Sequence, residues 1–160
     1  PVVISLLSKE PLRFMTNANQ FEGFQGWLIK RLGAFPINLE HPQISSFRTA
    51  IALLHEGKKL VMFPEGGIVR DRVLRSLKPG LARLVLQAEA SYSEENLNIP
   101  IIPIAIKYEP DAVRGAKICI EISSPIYTHQ HTQQKDKETA IALTSALETA
   151  LMNSLESATI

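Results

Sequence analysis

The sequence holds a single cysteine, Cys119. That excludes an intramolecular disulfide framework and a zinc-type cysteine cluster, and it suits a reducing, cytoplasm-facing location. Long hydrophobic runs are missing too. No stretch approaches the roughly 20 apolar residues that span a bilayer, and no secretory leader pattern is visible. Charge of one sign is equally absent. Lysine and arginine number 17 against 16 aspartates and glutamates, a formal net charge of +1, so overall charge makes no case for a nucleic-acid partner. There is no internal repeat and no low-complexity segment. No strand-like run is followed by Gly-x-Gly-x-x-Gly, which weighs against a dinucleotide-binding domain. The four histidines are scattered without ligand spacing, so no metal is called for.

What is present is enough for one domain, residues 1–160, with 45% hydrophobic residues to fill a core. The chain opens on Pro1-Val2-Val3-Ile4, an apolar stretch with no initiating methionine, and reads as a domain whose beginning lies upstream. Apolar residues Phe21, Phe24, Trp27, Leu28 and Leu32 recur at helical spacing over 20–32 and end at Gly33. This stripe predicts a core-facing helix. The competing reading lays the aromatics in a lipid interface, with Lys30 and Arg31 at the headgroups. Residues 12–16 and 34–38 read as short strands. Ser45 or Ser46 is placed to cap a helix carrying Phe47, Ile51 and Leu54, which Gly57 closes.

Leu60-Val61-Met62-Phe63 is a short apolar run, the pattern of a strand covered on both faces. It breaks into Pro64-Glu65-Gly66-Gly67. Pro79 stands where a first helical residue belongs, ahead of Leu81, Leu84, Val85 and Ala88. A further strand is expected within 99–108, and 117–122 alternates Ile118, Ile120 and Ile122 with Lys117, Cys119 and Glu121, as a half-exposed edge strand does. The last helix carries Leu143, Leu147, Leu151 and Leu155. Strands and helices alternate throughout, which predicts an α/β domain with a mostly parallel central sheet flanked by helices.

Ligands of open α/β sheets bind in the loops after strand carboxyl ends. Pro64-Glu65-Gly66-Gly67 follows the most apolar strand, and its two glycines allow backbone N–H groups to approach an anion. The segment 58–78 is locally basic, with Lys58, Lys59, Arg70, Arg72, Arg75 and Lys78 against Glu65 and Asp71. Such cations suit an anionic ligand or lipid surface. The plainer reading is a tight turn with a solvated basic rim.

Phe63-Pro64-Glu65-Gly66 resembles the third motif of the glycerolipid (lysophosphatidate) acyltransferases. Gly33-Ala34-Phe35-Pro36-Ile37 resembles their second, Lys78-Pro79-Gly80 falls where they carry Lys-Pro-Gly, and Ile102-Pro103-Ile104-Ala105-Ile106 resembles the fourth. The resemblance covers roughly residues 1–126. It implies the fold of that family and acyl transfer from an acyl thioester to a lysophospholipid hydroxyl, with 1-acylglycerol 3-phosphate the leading acceptor and phosphatidate the product. It also implies acyl-coenzyme A or an acyl carrier protein as donor substrate, no further cofactor, and work at the cytoplasmic face of a membrane. The substrate-binding residues it points to are Pro64, Glu65, Gly66, Gly67, Arg70 and Lys78.

Two departures bear on the acceptor. Leu39 and Ile68 stand where many members carry arginine. The family's first motif, His-x4-Asp with the histidine as general base, is not found ahead of the second. Pro1-Val2-Val3-Ile4 resembles the residues just after it, so the dyad is expected upstream and residues 1–160 are expected to be inactive alone. His131 and Asp136 share its spacing but lie after the fourth motif, in a polar loop. His41 and His55 lack a partner aspartate, and His55 suits a helix C-terminus. Another acyl acceptor, or a non-catalytic lipid- or acyl-carrier-binding module, are the alternatives.

Overall fold

The computed structural model describes residues 2–31, 33–37, 44–65, 74–93, 97–109 and 115–158. Helix α1 (Val2–Ser5) leads to strand β1 (Arg13–Asn17). The Asn17 side chain then accepts from the Asn19 N–H at 3.2 Å and opens a 3₁₀ turn, Ala18–Phe21, before α2 (Gly23–Arg31). The helix expected from residue 20 thus starts later, because a short polar side chain offers the backbone a competing turn. Gly33 (φ +87°) introduces β2 (Ala34–Ile37). A Cβ there would lie 2.9 Å from Arg13 Nη1 and 3.1 Å from the Leu12 carbonyl oxygen, so both backbone angle and space require glycine.

Helix α3 (Ile44–His55) already includes Ser45 and Ser46, and neither is its cap. Ser46 Oγ instead donates to the Pro36 carbonyl at 2.9 Å, tying α3 to β2. The other end is as expected. The Lys58 N–H bonds the Leu53 carbonyl at 2.9 Å and the Gly57 N–H bonds that of Leu54 at 3.0 Å, with Gly57 at φ +69°, the Schellman arrangement. Strand β3 (Leu60–Val61) follows. It is shorter than its apolar run predicts, and Phe63 is exposed. Pro64 has no N–H to extend a ladder, and its carbonyl accepts from Lys78 N–H at 3.0 Å instead.

The three strands form a parallel sheet in the order β2-β1-β3, with Met15 beside Phe35 and Phe14 beside Val61. Met15 and Ile37 pack with Ala50 of α3 on one face of this sheet. The β1-α2-β2 step moves one way and β2-α3-β3 returns across β1, so right-handed crossovers put α2 on the opposite face.

Helix α4 (Gly80–Ala90) and helix α5 (Asp136–Ser157) complete the core. Leu84 of α4 joins the Met15–Ala50 group, while Val85 and Ala88 join Leu143, Leu147 and Leu151 of α5. Helix α4 is therefore enclosed between α3 and α5. The remaining strands, β4 (Ile104–Glu109) and β5 (Lys117–Ile122), pair with each other antiparallel. The described strands accordingly make two sheets, one parallel and three-stranded, the other an antiparallel pair. Strand β5 shows the expected alternation, and the structure shows which face is covered. Lys107 Nζ of β4 donates to the Ala158 carbonyl at 2.8 Å, and Ser157 Oγ to Glu121 at 2.7 Å, so the polar side meets α5. Ile118 and Ile122, 44% and 55% exposed, face away. The polar end of α5 decides which side of the ribbon it covers.

Candidate functional site

The carboxyl ends of β1, β2 and β3 lie on one side of the parallel sheet, and the Pro64-Glu65 turn leaves from there. The Lys78 N–H to Pro64 carbonyl bond, 3.0 Å, closes the loop between β3 and α4 at its base. That bond brings Pro64, Glu65 and Lys78 to one mouth, although 13 positions separate Glu65 from Lys78 in the chain. One residue earlier, the Leu77 N–H donates to Glu148 Oε1 of α5 at 3.2 Å, and the buried Leu77 side chain enters the core. The backbone leading to Lys78 is thus anchored on both sides of the loop. Sequence reasoning missed Glu148. Helical periodicity places it on α5, but nothing in the chain announces a partner so far away.

Immediately after Lys78, Pro79 is the N-cap of α4 and its carbonyl accepts the Arg83 N–H at 3.0 Å. Pro79 itself offers no side-chain cap bond. A Cβ built on Gly80 would meet nothing within 4 Å, Lys78 beside it is exposed, and the first N–H groups of a helix have no intrahelical partner. Free helix N–H groups and an ammonium together favour an anion. Glu65 is half-buried, and among the described residues no ion pair reaches it. It is available to accept from a ligand hydroxyl. Gly66, Gly67 and Arg70 lie outside the described residues, as do Leu39, Ile68 and His41.

Of the basic stretch expected over 58–78, Arg70 and Arg72 lie outside the described residues. Lys58 and Lys59 precede β3, at the amino ends of the strands, where Lys59 Nζ pairs with Glu10 at 3.1 Å. Lys78 stands at the opposite, carboxyl end, because a strand separates the two groups.

None of the described histidines joins this mouth. His55, the last residue of α3, has Nε2 2.8 Å from the Ala88 carbonyl and its ring edge-on to Tyr92 at 4.9 Å. It does serve a helix C-terminus, that of α4 rather than its own. His129 Nδ1 lies 3.2 Å from Asn98 and its ring stacks on Tyr127. His131 and Asp136 flank the start of α5, near the Ala90 end of α4, where Thr128 bonds Glu89. An 11-residue helix holds them about 16 Å from the Gly80 end.

The second-motif residues follow the same logic. Gly33 makes room at the start of β2, Phe35 and Ile37 point into the core, and Pro36 receives Ser46. In the fourth motif, Pro103 is fully buried and its carbonyl accepts the Ser123 N–H at 3.0 Å.

A family model described as Acyltransferase matches residues 1–107. The 1-acyl-sn-glycerol-3-phosphate acyltransferase of Bacillus subtilis (strain 168) is 26% identical over 140 residues, covering 85% of this chain and 65% of that protein. The chain thus spans just under two thirds of that relative. The crystal structure of the 1-acyl-sn-glycerophosphate (LPA) acyltransferase PlsC from Thermotoga maritima aligns with a TM-score of 0.68 at 17% identity, over 97% of this chain and 60% of that one, and shows the shared fold. The matched residues 1–107 hold the Phe63-Pro64-Glu65 turn and the Lys78-Pro79-Gly80 helix start that meet at the mouth, and the chain belongs to this acyltransferase family.

Proposed function

We propose that the domain transfers an acyl group from acyl-coenzyme A or an acyl carrier protein to the hydroxyl of 1-acylglycerol 3-phosphate, forming phosphatidate at the cytoplasmic face of a membrane. The observation that carries this reading is the Lys78 to Pro64 bond. It ties the Pro64-Glu65 turn to Lys78 at the start of α4, in a chain of the acyltransferase family. Lys78 and the α4 N–H groups take the acceptor phosphate, and Gly66, Gly67 and Arg70 supply further donors. Glu65 accepts from the acceptor or orders those cations. A base removes the acceptor hydroxyl proton. The oxygen attacks the thioester carbonyl, the C–S bond breaks, and the thiol leaves carrying a proton. No covalent enzyme intermediate is required.

His55 and His129 are engaged elsewhere, and His131 lies at the far end of α4. The reading takes the base from a His-x4-Asp pair, the family's first motif, which none of these three histidines supplies. The test compares residues 1–160 with a longer natural chain carrying such a pair, supplied with acyl-coenzyme A and 1-acylglycerol 3-phosphate. Phosphatidate is expected from the longer chain alone. Within that chain, Lys78→Ala and Arg70→Ala should each raise the acceptor KM. Turnover only with a different lysophospholipid would move the acceptor, as Leu39 and Ile68 in place of arginines favour. Binding without turnover in every chain would leave a lipid-binding module.

A further inference from the structure

Helix α2 turns two large apolar residues outward. Trp27 is 55% exposed and Leu28 43% exposed, whereas Gly26 is buried. The inward side is held by close backbone contact. A Cβ on Gly26 would fall 2.0 Å from the Phe21 carbonyl oxygen, so α2 and the preceding 3₁₀ turn meet with no side chain between them. The outward side is cationic at its end. Arg31 lies over the Trp27 ring at 5.6 Å and Lys30 over the Phe21 ring at 5.9 Å, and Gly23–Arg31 carries no carboxylate.

We propose that this face of α2 seats on an anionic lipid surface, with Trp27 and Leu28 entering the headgroup–acyl boundary and Lys30 and Arg31 meeting the lipid phosphates. Tryptophan suits that boundary, having an apolar ring and one N–H donor. Lysine and arginine beside it lay their stems on apolar surface while their heads stay at the charged layer. A helix with this division lies in the interface plane rather than across it. A second copy of the chain is a poorer fit. Side chains as large as tryptophan bury about 150–250 Å² each, so Trp27 and Leu28 fall well short of the roughly 800 Å² per partner of a stable interface. The inference deepens the lipid-acceptor reading by naming the surface through which the domain meets its substrate's membrane, and it rests on that reading for its biological sense only.

Trp27 is the only tryptophan in the chain, so its fluorescence reports on α2 directly. Vesicles of phosphatidylcholine with phosphatidylglycerol should shift its emission to the blue, and brominated phosphatidylcholine in the same vesicles should quench it. Lys30→Gln with Arg31→Gln should lower partitioning onto these vesicles roughly 30-fold, as expected for two cations at an anionic surface, and added salt should do the same to the parent chain. Both positions are exposed, and an unchanged unfolding curve confirms that the double variant is folded. Three results would each overturn the proposal: no vesicle binding, binding with silent Trp27 emission, or partitioning indifferent to the double substitution. A blue shift that grows with protein concentration in the absence of lipid would overturn it in favour of a second copy. Acyl transfer is read separately, as phosphatidate formed from detergent-dispersed acceptor by the longer chain. Turnover with silent Trp27 sinks the surface and spares the enzyme; a lipid-induced shift without turnover does the reverse.

Discussion

Helices α2 and α4 carry similar apolar patterns and meet opposite fates. Each has apolar residues three and four apart, and each follows a strand of the parallel sheet. Leu84 and Ala88 of α4 are 0% exposed, while Trp27 and Leu28 of α2 are exposed by half. The cause lies in the surroundings rather than in the helices. Helix α4 is enclosed by α3 on one side and α5 on the other, so its stripe meets side chains in two directions. Helix α2 has the 3₁₀ turn and the β2 edge beneath it, and closes on them through Gly26. Periodicity states which residues share a face. Which face is covered depends on how many neighbours the rest of the fold supplies.

The sharpest test of this contrast is the same truncation in both helices. Leu84→Ala should cost about 2–5 kcal/mol, the lost transfer energy plus the cavity left in a packed site. Leu28→Ala should stay within about 0.5 kcal/mol, as changes at exposed positions do. Denaturant unfolding of the two variants measures both. Equal losses would mean that α2 is covered in solution, and the comparison would fail.

A second test addresses the inward side of α2. Gly26→Ala puts a methyl against the Phe21 backbone, with 2.0 Å to the carbonyl oxygen and 2.2 Å to its carbon. Backbone cannot rotate away as a side chain would. The expected loss is about 1–3 kcal/mol, the usual cost of overpacking, despite alanine's better helix propensity. A gain in stability would show that α2 does not rest on the 3₁₀ turn.

A good part of this was legible in the sequence. The three parallel strands, the long last helix and the loop after β3 follow from apolar runs, leucines four apart and a Pro-Glu-Gly-Gly break. Of the residues singled out for the site, Pro64 and Lys78 are joined by a backbone bond, while Gly66, Gly67 and Arg70 lie outside the described residues. What anchors the backbone ahead of Lys78 was not legible, because Leu77 N–H to Glu148 is a contact between positions 71 apart, and no local pattern encodes it. The outward turn of Trp27 and of Ile118 and Ile122 was hidden for a related reason. An apolar face reads the same whether it meets a core or something outside the chain.

His55 marks the better-held side of the contrast. Its Nε2 bonds the Ala88 carbonyl at 2.8 Å, fastening the end of α4 to the end of α3. His55→Phe keeps a ring beside Tyr92 but removes the donor. Ser91 Oγ, 3.4 Å from the same carbonyl, replaces it weakly at best. A loss of about 1 kcal/mol in thermal or denaturant unfolding is expected. No loss would indicate that the ends of α3 and α4 are held by packing alone.

The smallest effect should also have the opposite sign. Gly80 begins α4, as Gly26 lies within α2, but a Cβ on Gly80 meets no atom within 4 Å. Gly80→Ala should therefore stabilise the fold by about 0.4–1 kcal/mol, by restricting the unfolded chain and favouring the helix. If the α4 N–H groups receive the acceptor phosphate, the same methyl intrudes on the approach, and the longer active chain should show a higher acceptor KM with unfolding shifted upward. Stability and binding would then move in opposite directions at one atom. Stability alone rising, with KM unchanged, would place the phosphate away from the α4 N-terminus and leave its recognition to Lys78 and the loop after Glu65. A fall in stability would mean that the space beside Gly80 is filled in solution, and that the start of α4 is as closely covered as its middle.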